Sequence, residues 1–168
     1  MKKFELTTDR IEENGTILYR IKALIDFWDV KAGDLGGYVE KEENLSQYGS
    51  AWVSDNAFVL GNARVSDNAW VCGDTLVCGN AQVYDNAHIY GNARVYDNAD
   101  YIYLNGFGFH SHSTTMFRGE NENIYVSCGY FSGTLQEFES KVKETHGNNK
   151  FAREYLALIE AAKIHFEV

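Results

Sequence analysis

From Ala51 the chain repeats every six residues without an insertion: AWVSDN, AFVLGN, ARVSDN, AWVCGD, TLVCGN, AQVYDN, AHIYGN, ARVYDN. An aliphatic residue recurs at Val53, Val59, Val65, Val71, Val77, Val83, Ile89 and Val95. A small residue precedes each by two places, with Thr75 standing in once for alanine. Four residues alternating inward and outward read as a short strand. The closing Asp-Asn or Gly-Asn pair (Gly73-Asp74 once) reads as a turn, because Gly and Asn tolerate positive φ. No helix has this period. A short strand and a tight turn every six residues predict a parallel β-helix.

These units resemble the hexapeptide repeat of left-handed β-helices, in which three hexads make one triangular coil and residues 18 apart stack. That resemblance implies nearly three coils over residues 51–100, with a degenerate lead-in through Leu45-Ser46-Gln47-Tyr48-Gly49. The wider chain is similar to a group of phage and prophage proteins. These pair such repeats with a leading segment like RIKALIDFWDVKAGDLGGYVEKEENLSQ and a closing one like CGYFSGTLQEFESKVKETHGNNKFAREYLALIEAAK. The resemblance covers nearly the whole chain. It implies a fold and a mobile-element origin, and no reaction.

Stacking at 18 residues sorts the outward side chains onto three faces. Face one carries Trp52, Trp70 and His88, with Ser54, Cys72 and Tyr90. Face two carries Phe58, Leu76 and Arg94, with Leu60, Cys78 and Tyr96; face three carries Arg64 and Gln82, with Ser66 and Tyr84. Coils stack about 4.8 Å apart, so faces one and two present apolar stripes that something must cover. The terminal segments of the same chain are one candidate cover. A second copy is the other, since the resemblance implies a homotrimer around a threefold axis.

Outside the repeat, Asn14-Gly15 between two apolar runs is a hairpin signal. Gly33-Asp34-Leu35-Gly36-Gly37-Tyr38 reads as a glycine-rich bend capping the first coil, matching neither dinucleotide-binding nor Walker patterns. After Asp100 the frame breaks into strands near 101–104, 114–118 and 123–131. Thr134-Leu135-Gln136-Glu137 is a capping box opening a helix that Gly147 ends. A second helix begins near Asn149, with Phe151, Tyr155, Leu158, Ile159, Ala162 and Phe166 on one side. Both apolar sides require burial, and the β-helix wall is the expected partner. The fold class is therefore mainly β: a left-handed parallel β-helix of about three coils, with an N-terminal β cap and a C-terminal α+β tail ending in two helices. The segments are 1–44, 45–104 and 105–168.

Charge narrows the function classes. Fifteen basic residues face 24 acidic ones, for a net charge of −9. No lysine lies between Lys41 and Lys141, so generic duplex binding, which needs clustered positive charge, is not expected. No apolar run is long enough to span a membrane, and Met1-Lys2-Lys3-Phe4-Glu5 does not open a signal peptide. A cytoplasmic location, in the cytosol of a bacterial host, is the expectation. Three cysteines without a CxxC pair indicate neither a disulfide framework nor a zinc ribbon.

Several side-chain sets bear on chemistry. His110-Ser111-His112 places two imidazoles on one side of a strand, with Cys128 as a neighbour, but a metal needs further ligands; no metal or cofactor is expected. Cys128 and His146 form a nucleophile-and-base pairing that lacks an orienting third group, so a buried thiol is the expectation. Cys72 and Cys78 point to different faces. Asp67 and Asp85 stack at one corner and read as a solvated turn. Hexapeptide-repeat acyltransferases imply an enzyme alternative with His88 as base, although no loop interrupts the coils. The favoured reading is a non-enzymatic phage or prophage binding protein acting in counter-defence, sequestering a nucleotide-like immune signal in a trimer groove. Trp52, Trp70, His88 and Tyr90 would stack on the ring, and Arg64, Arg94 and Arg118 would pair with phosphates. The alternative partner is a host defence protein, met by an acidic blocker or DNA mimic.

Overall fold

In a computed structural model describing residues 1–168, the six-residue period becomes a β-solenoid. Each hexad contributes one two-residue strand. Three N-terminal strands come first: β1 (Phe4–Glu13), β2 (Thr16–Ala23) and β3 (Leu35–Val39). The coil strands are β4 (Trp52–Val53), β5 (Phe58–Val59), β6 (Arg64–Val65), β7 (Trp70–Val71), β8 (Leu76–Val77), β9 (Gln82–Val83), β10 (His88–Ile89) and β11 (Arg94–Val95). Residues 18 apart pair in parallel: Trp52 with Trp70 and Trp70 with His88, Phe58 with Leu76 and Leu76 with Arg94, Arg64 with Gln82. All eight inward Val and Ile side chains are fully buried, and the preceding Ala or Thr residues are buried beside them. Thr75, the one polar residue in that column, donates its hydroxyl to Cys72 O at 2.7 Å, so burying it leaves no unpaired group.

At the corners from Asp55 to Gly91 the first residue of the pair takes the left-handed conformation, at φ 56° for Asp55, 67° for Gly61 and 59° for Asp67. The asparagine that follows does different work from the one its turn propensity suggests. Its amide bonds the equivalent side chain one coil away: Asn56 to Asp74 at 3.0 Å, Asn62 to Asn80 at 3.1 Å, Asn68 to Asn86 at 3.2 Å. The aspartates also tie coils together, since the Asp55 carboxylate accepts from Gly73 N at 3.0 Å.

The N-terminal segment closes the first coil. β1 and β2 form the hairpin at Asn14-Gly15 (φ 50° and 81°). β3 pairs antiparallel with β2 and parallel with β5, so face two continues into the cap as one six-stranded sheet. The glycine-rich stretch expected as a bend is thus largely a strand. Its glycines serve close approach: a Cβ on Gly36 would lie 2.5 Å from Val53 O, and one on Gly37 2.6 Å from Ala57 O.

The first coil has no preceding coil to satisfy its outward-facing carbonyls, and the cap supplies the donors. Tyr38 N reaches Ala57 O, Glu40 N reaches Val59 O and Ser46 N reaches Val65 O, at 2.9–3.1 Å. Asn44, fully buried, donates to Ala63 O at 2.7 Å. The Lys3 ammonium, also buried, donates to Ala51 O at 2.7 Å and lies 5.2 Å from the Phe27 ring centre.

The chain forms two compact units, Met1–Asn98 and Ala99–Val168. The second is a four-stranded antiparallel sheet in chain order, β12 (Tyr101–Phe107), β13 (His112–Arg118), β14 (Ile124–Cys128) and β15 (Phe131–Thr134), followed by α1 (Leu135–His146) and α2 (Lys150–Phe166). Thr134 and Glu137 form the expected capping box and Gly147, at φ 55°, ends α1. Asn149 caps α2 through Ala152 N. The sequence placed both helices on the β-helix wall. Instead Phe138, Val142, Tyr155, Ile159 and Phe166 share a core with Met116, Ile124 and Val126 of the helices' own sheet. That sheet supplies the apolar face the helices need.

Burial pushes the Lys3 ammonium down from its ordinary 10.5 to about 8. Between these values the unfolded chain holds a proton that the folded chain has released, so stability gained from this group rises with pH across that window. Denaturant midpoints measured from pH 8 to 10.5 should rise for the wild type relative to Lys3→Met, and the difference should be flat below pH 7.

Candidate functional site

On the solenoid, the residues expected to stack on a ligand are largely engaged by the chain itself. The segment between β2 and β3 makes a tight turn in which Phe27 and Val30 exchange backbone hydrogen bonds of 2.9–3.0 Å. It carries Trp28 at φ 46°, an uncommon conformation for a bulky residue. The turn lays Phe27 edge-on against Trp52, with ring centres 5.4 Å apart, and Trp28 edge-on against Trp70 at 4.8 Å. Trp52 is left 2% exposed, whereas Trp28 is 65% exposed. His88 follows Trp70 in the ladder, half-buried, with its Nε2 3.5 Å from Cys72 Sγ and its ring 5.5 Å from Tyr90. Burial lowers the His88 pKa.

The arginines lie apart. Arg94, on face two, donates to the carbonyls of Asp74, Ala93 and Asn92 at 2.8–3.3 Å. Arg64 is exposed on face three, beside Lys41 and Gln82 in a shallow groove. Arg118 belongs to the second unit, where it pairs with Asp100 at 3.4 Å and donates to Phe166 O at 2.9 Å. There it serves the carbonyl end of α2, where a cation is favourable. Arg64 and Arg94 are thus on different faces of one unit, and Arg118 is in the other.

The second unit brings together a set the sequence had treated as separate pairs. A cleft of about 580 Å³ opens between the β12–β13 hairpin tip, the β14–β15 turn and the facing parts of α1 and α2. Phe131, Phe138, Phe151 and Tyr155 give it an aromatic floor. His110, His112, His146, Lys141 and Asn149 supply its polar lining, and Cys128 lies at its base. Such a volume, mostly apolar with a few convergent polar groups, is that of a small-molecule site.

Local sequence sets this geometry. A Cβ on Gly108, which sits at φ 77°, would collide with the Tyr155 hydroxyl, so glycine lets the hairpin tip lie against α2. Glu154 holds the tip there by accepting from Gly108 N at 3.1 Å. Phe109 then meets Phe151 edge-on at 5.2 Å and His110 at 4.4 Å, and His110 lies 5.3 Å from His112. His146, on the last turn of α1, stacks on Tyr155 at 5.9 Å. None of the three cleft imidazoles makes a hydrogen bond or ion pair within the chain, whereas the rim residues Phe109 and Tyr130 are exposed.

Cys128 is 8% exposed and accepts from the Thr114 hydroxyl at 3.1 Å. Its thiol donates to the Tyr155 oxygen at 3.7 Å, and not to an imidazole. Burial pushes the Tyr155 phenol well up, with Cys128 and Glu154 adding to the shift. The expected buried thiol therefore sits beside a phenol that stays protonated. No group of three or more His, Cys, Asp or Glu side chains is placed to share a metal ion.

Lys141, Asn149, Phe109 and Tyr130 were not singled out from sequence. The available signal was the Gly106–Gly108 tip with bulky aromatics on either side, an arrangement that presents rings rather than burying them.

The three cysteines are unpaired. Burial, and secondarily the Asp55 carboxylate, pushes the Cys72 thiol up to about 11. Native-state labelling at Cys72 should accelerate by about tenfold per pH unit toward that value, as thiolate supply dictates. A fast, pH-independent reaction near neutrality would reveal an activated cysteine instead.

A family model described as the YdcK β-solenoid repeat matches residues 57–73 and 87–99. The protein named "Uncharacterized acetyltransferase YdcK" from Escherichia coli (strain K12) is 36% identical over 63 residues. That similarity covers 33% of this chain and 19% of the relative's length. The family model concerns a β-solenoid, as the coil geometry does.

Proposed function

We propose that this protein is a binding protein rather than a catalyst, and that it holds a small molecule with a planar ring in the cleft of residues 99–168. The observation that carries this reading is the aromatic floor of Phe131, Phe138, Phe151 and Tyr155 beneath exposed Phe109 and Tyr130. Flat rings stack edge-on or offset against such side chains, and a nucleotide base is one ring of suitable kind. The cleft holds no nucleophile hydrogen-bonded to a base. The similarity covers 19% of the relative's length, so the acetyl transfer in its name is not carried over.

The homotrimer, the origin in a phage or prophage, and a role in sequestering a host immune nucleotide belong to the same proposal. The repeat and the resemblance of the flanking segments support them. An acidic protein-binding surface is the second reading. It is favoured by the exposed corner aspartates Asp55, Asp67, Asp85 and Asp97, against two arginines in residues 51–100.

Native mass spectrometry of the protein purified from its host tests the reading. The expected result is a mass three times 19.0 kDa plus a few hundred daltons per chain, lost on denaturation and absent from Phe151→Ala. A ligand retained undiminished by Phe151→Ala would overturn the cleft assignment, and a monomer would overturn the trimer.

A further inference from the structure

We infer that the cleft selects a planar ligand carrying an anionic group, which His110 and His112 hold together. This deepens the preceding proposal and rests on its assignment of the cleft.

The charge pattern differs from the rest of the chain. In a protein of net charge −9, the cleft is lined by three imidazoles and one ammonium and by no carboxylate. The imidazoles come from separate elements: His110 from the hairpin tip, His112 from β13 and His146 from α1. All three lack a polar partner within the chain, so their donors are available to a ligand.

On α1, Lys141 pairs with Glu144 at 2.9 Å, so the imidazoles are the donors of the cleft that no carboxylate shares. On α2, Glu154 is engaged by Gly108 N and by Lys150 at 3.4 Å. β14 contributes Cys128, already hydrogen-bonded, and Tyr155 and Tyr130 are phenols.

His110 and His112 have ring centres 5.3 Å apart. At that spacing one carboxylate, sulfonate or phosphate can accept hydrogen bonds from both rings, and an ionised acceptor makes such bonds stronger than a neutral one does.

Two fluorescent probes of similar shape separate the anion from the ring: 8-anilinonaphthalene-1-sulfonate and its uncharged analogue N-phenyl-1-naphthylamine. The full chain should bind both at one site. The sulfonate should bind more tightly than the neutral probe. The double variant His110→Ala, His112→Ala should keep the neutral probe, which also reports that it folds, and weaken the sulfonate roughly tenfold. Sulfonate affinity unchanged in that variant would overturn this inference and leave the cleft assignment standing. Failure of the folded wild type to bind either probe would overturn the cleft assignment itself.

Discussion

Backbone hydrogen bonding between coils is the constraint on which the solenoid depends. Each strand is only two residues long, too short to hold itself, and gains its partners from the chain 18 residues away. The ladder runs through Trp52 N to Ala69 O, Trp70 N to Ala87 O and their equivalents on the other faces. Such a stack must end somewhere, and its first coil exposes carbonyls with no coil before it. Unpaired buried backbone groups are costly, so the cap is a set of donors before it is anything else. β3 supplies main-chain N–H groups, whereas Asn44 and Lys3 reach in with side chains. This accounts for a lysine buried against a backbone carbonyl.

Covering the walls is a second requirement, and it decides what the solenoid can offer a ligand. Face one carries the richest aromatic column. The Phe27–Val30 turn uses it as core by resting Phe27 on Trp52 and Trp28 on Trp70. Arg94 is similarly occupied in holding three carbonyls of its own face. The ordered wall is thus spent largely on stability. Open aromatic surface with unpartnered polar groups occurs in the second unit, where a hairpin tip and two helix ends meet. Loops positioned by a rigid scaffold are where such surfaces are generally built.

The solenoid was legible because its rule is local and repeated: Val53 to Val95 fall at one spacing, and the faces follow from stacking. The α1 boundary was equally legible, since Thr134, Glu137 and Gly147 carry their own capping chemistry. β3 was not, because Gly36 and Gly37 look like a bend until the backbone of the first coil is seen pressed against them. The cleft was not legible as one site, because His110, His112, Cys128 and His146 come together only through the antiparallel sheet and the helix docking. Sequence spacing reports neither. The helix partner was misassigned for a related reason: an amphipathic stripe states that it must be buried, but not against which sheet.

The corner asparagines have a consequence for the chemical lifetime of the molecule. Asparagine ages by cyclising onto the amide nitrogen of the next residue, which must be free to attack the side-chain carbonyl carbon. At the corners that nitrogen is occupied: Ala57 N donates to Ser54 O, Ala63 N to Leu60 O and Ala69 N to Ser66 O. The side-chain amides of Asn56, Asn62 and Asn68 are held as well, by the neighbouring coil. The geometry that aligns the coils thus also shields their most labile residue type from deamidation. The two Asn-Gly pairs, Asn14-Gly15 and Asn105-Gly106, are exposed and lie outside the coils, and they are where the chain would first acquire an extra negative charge with age.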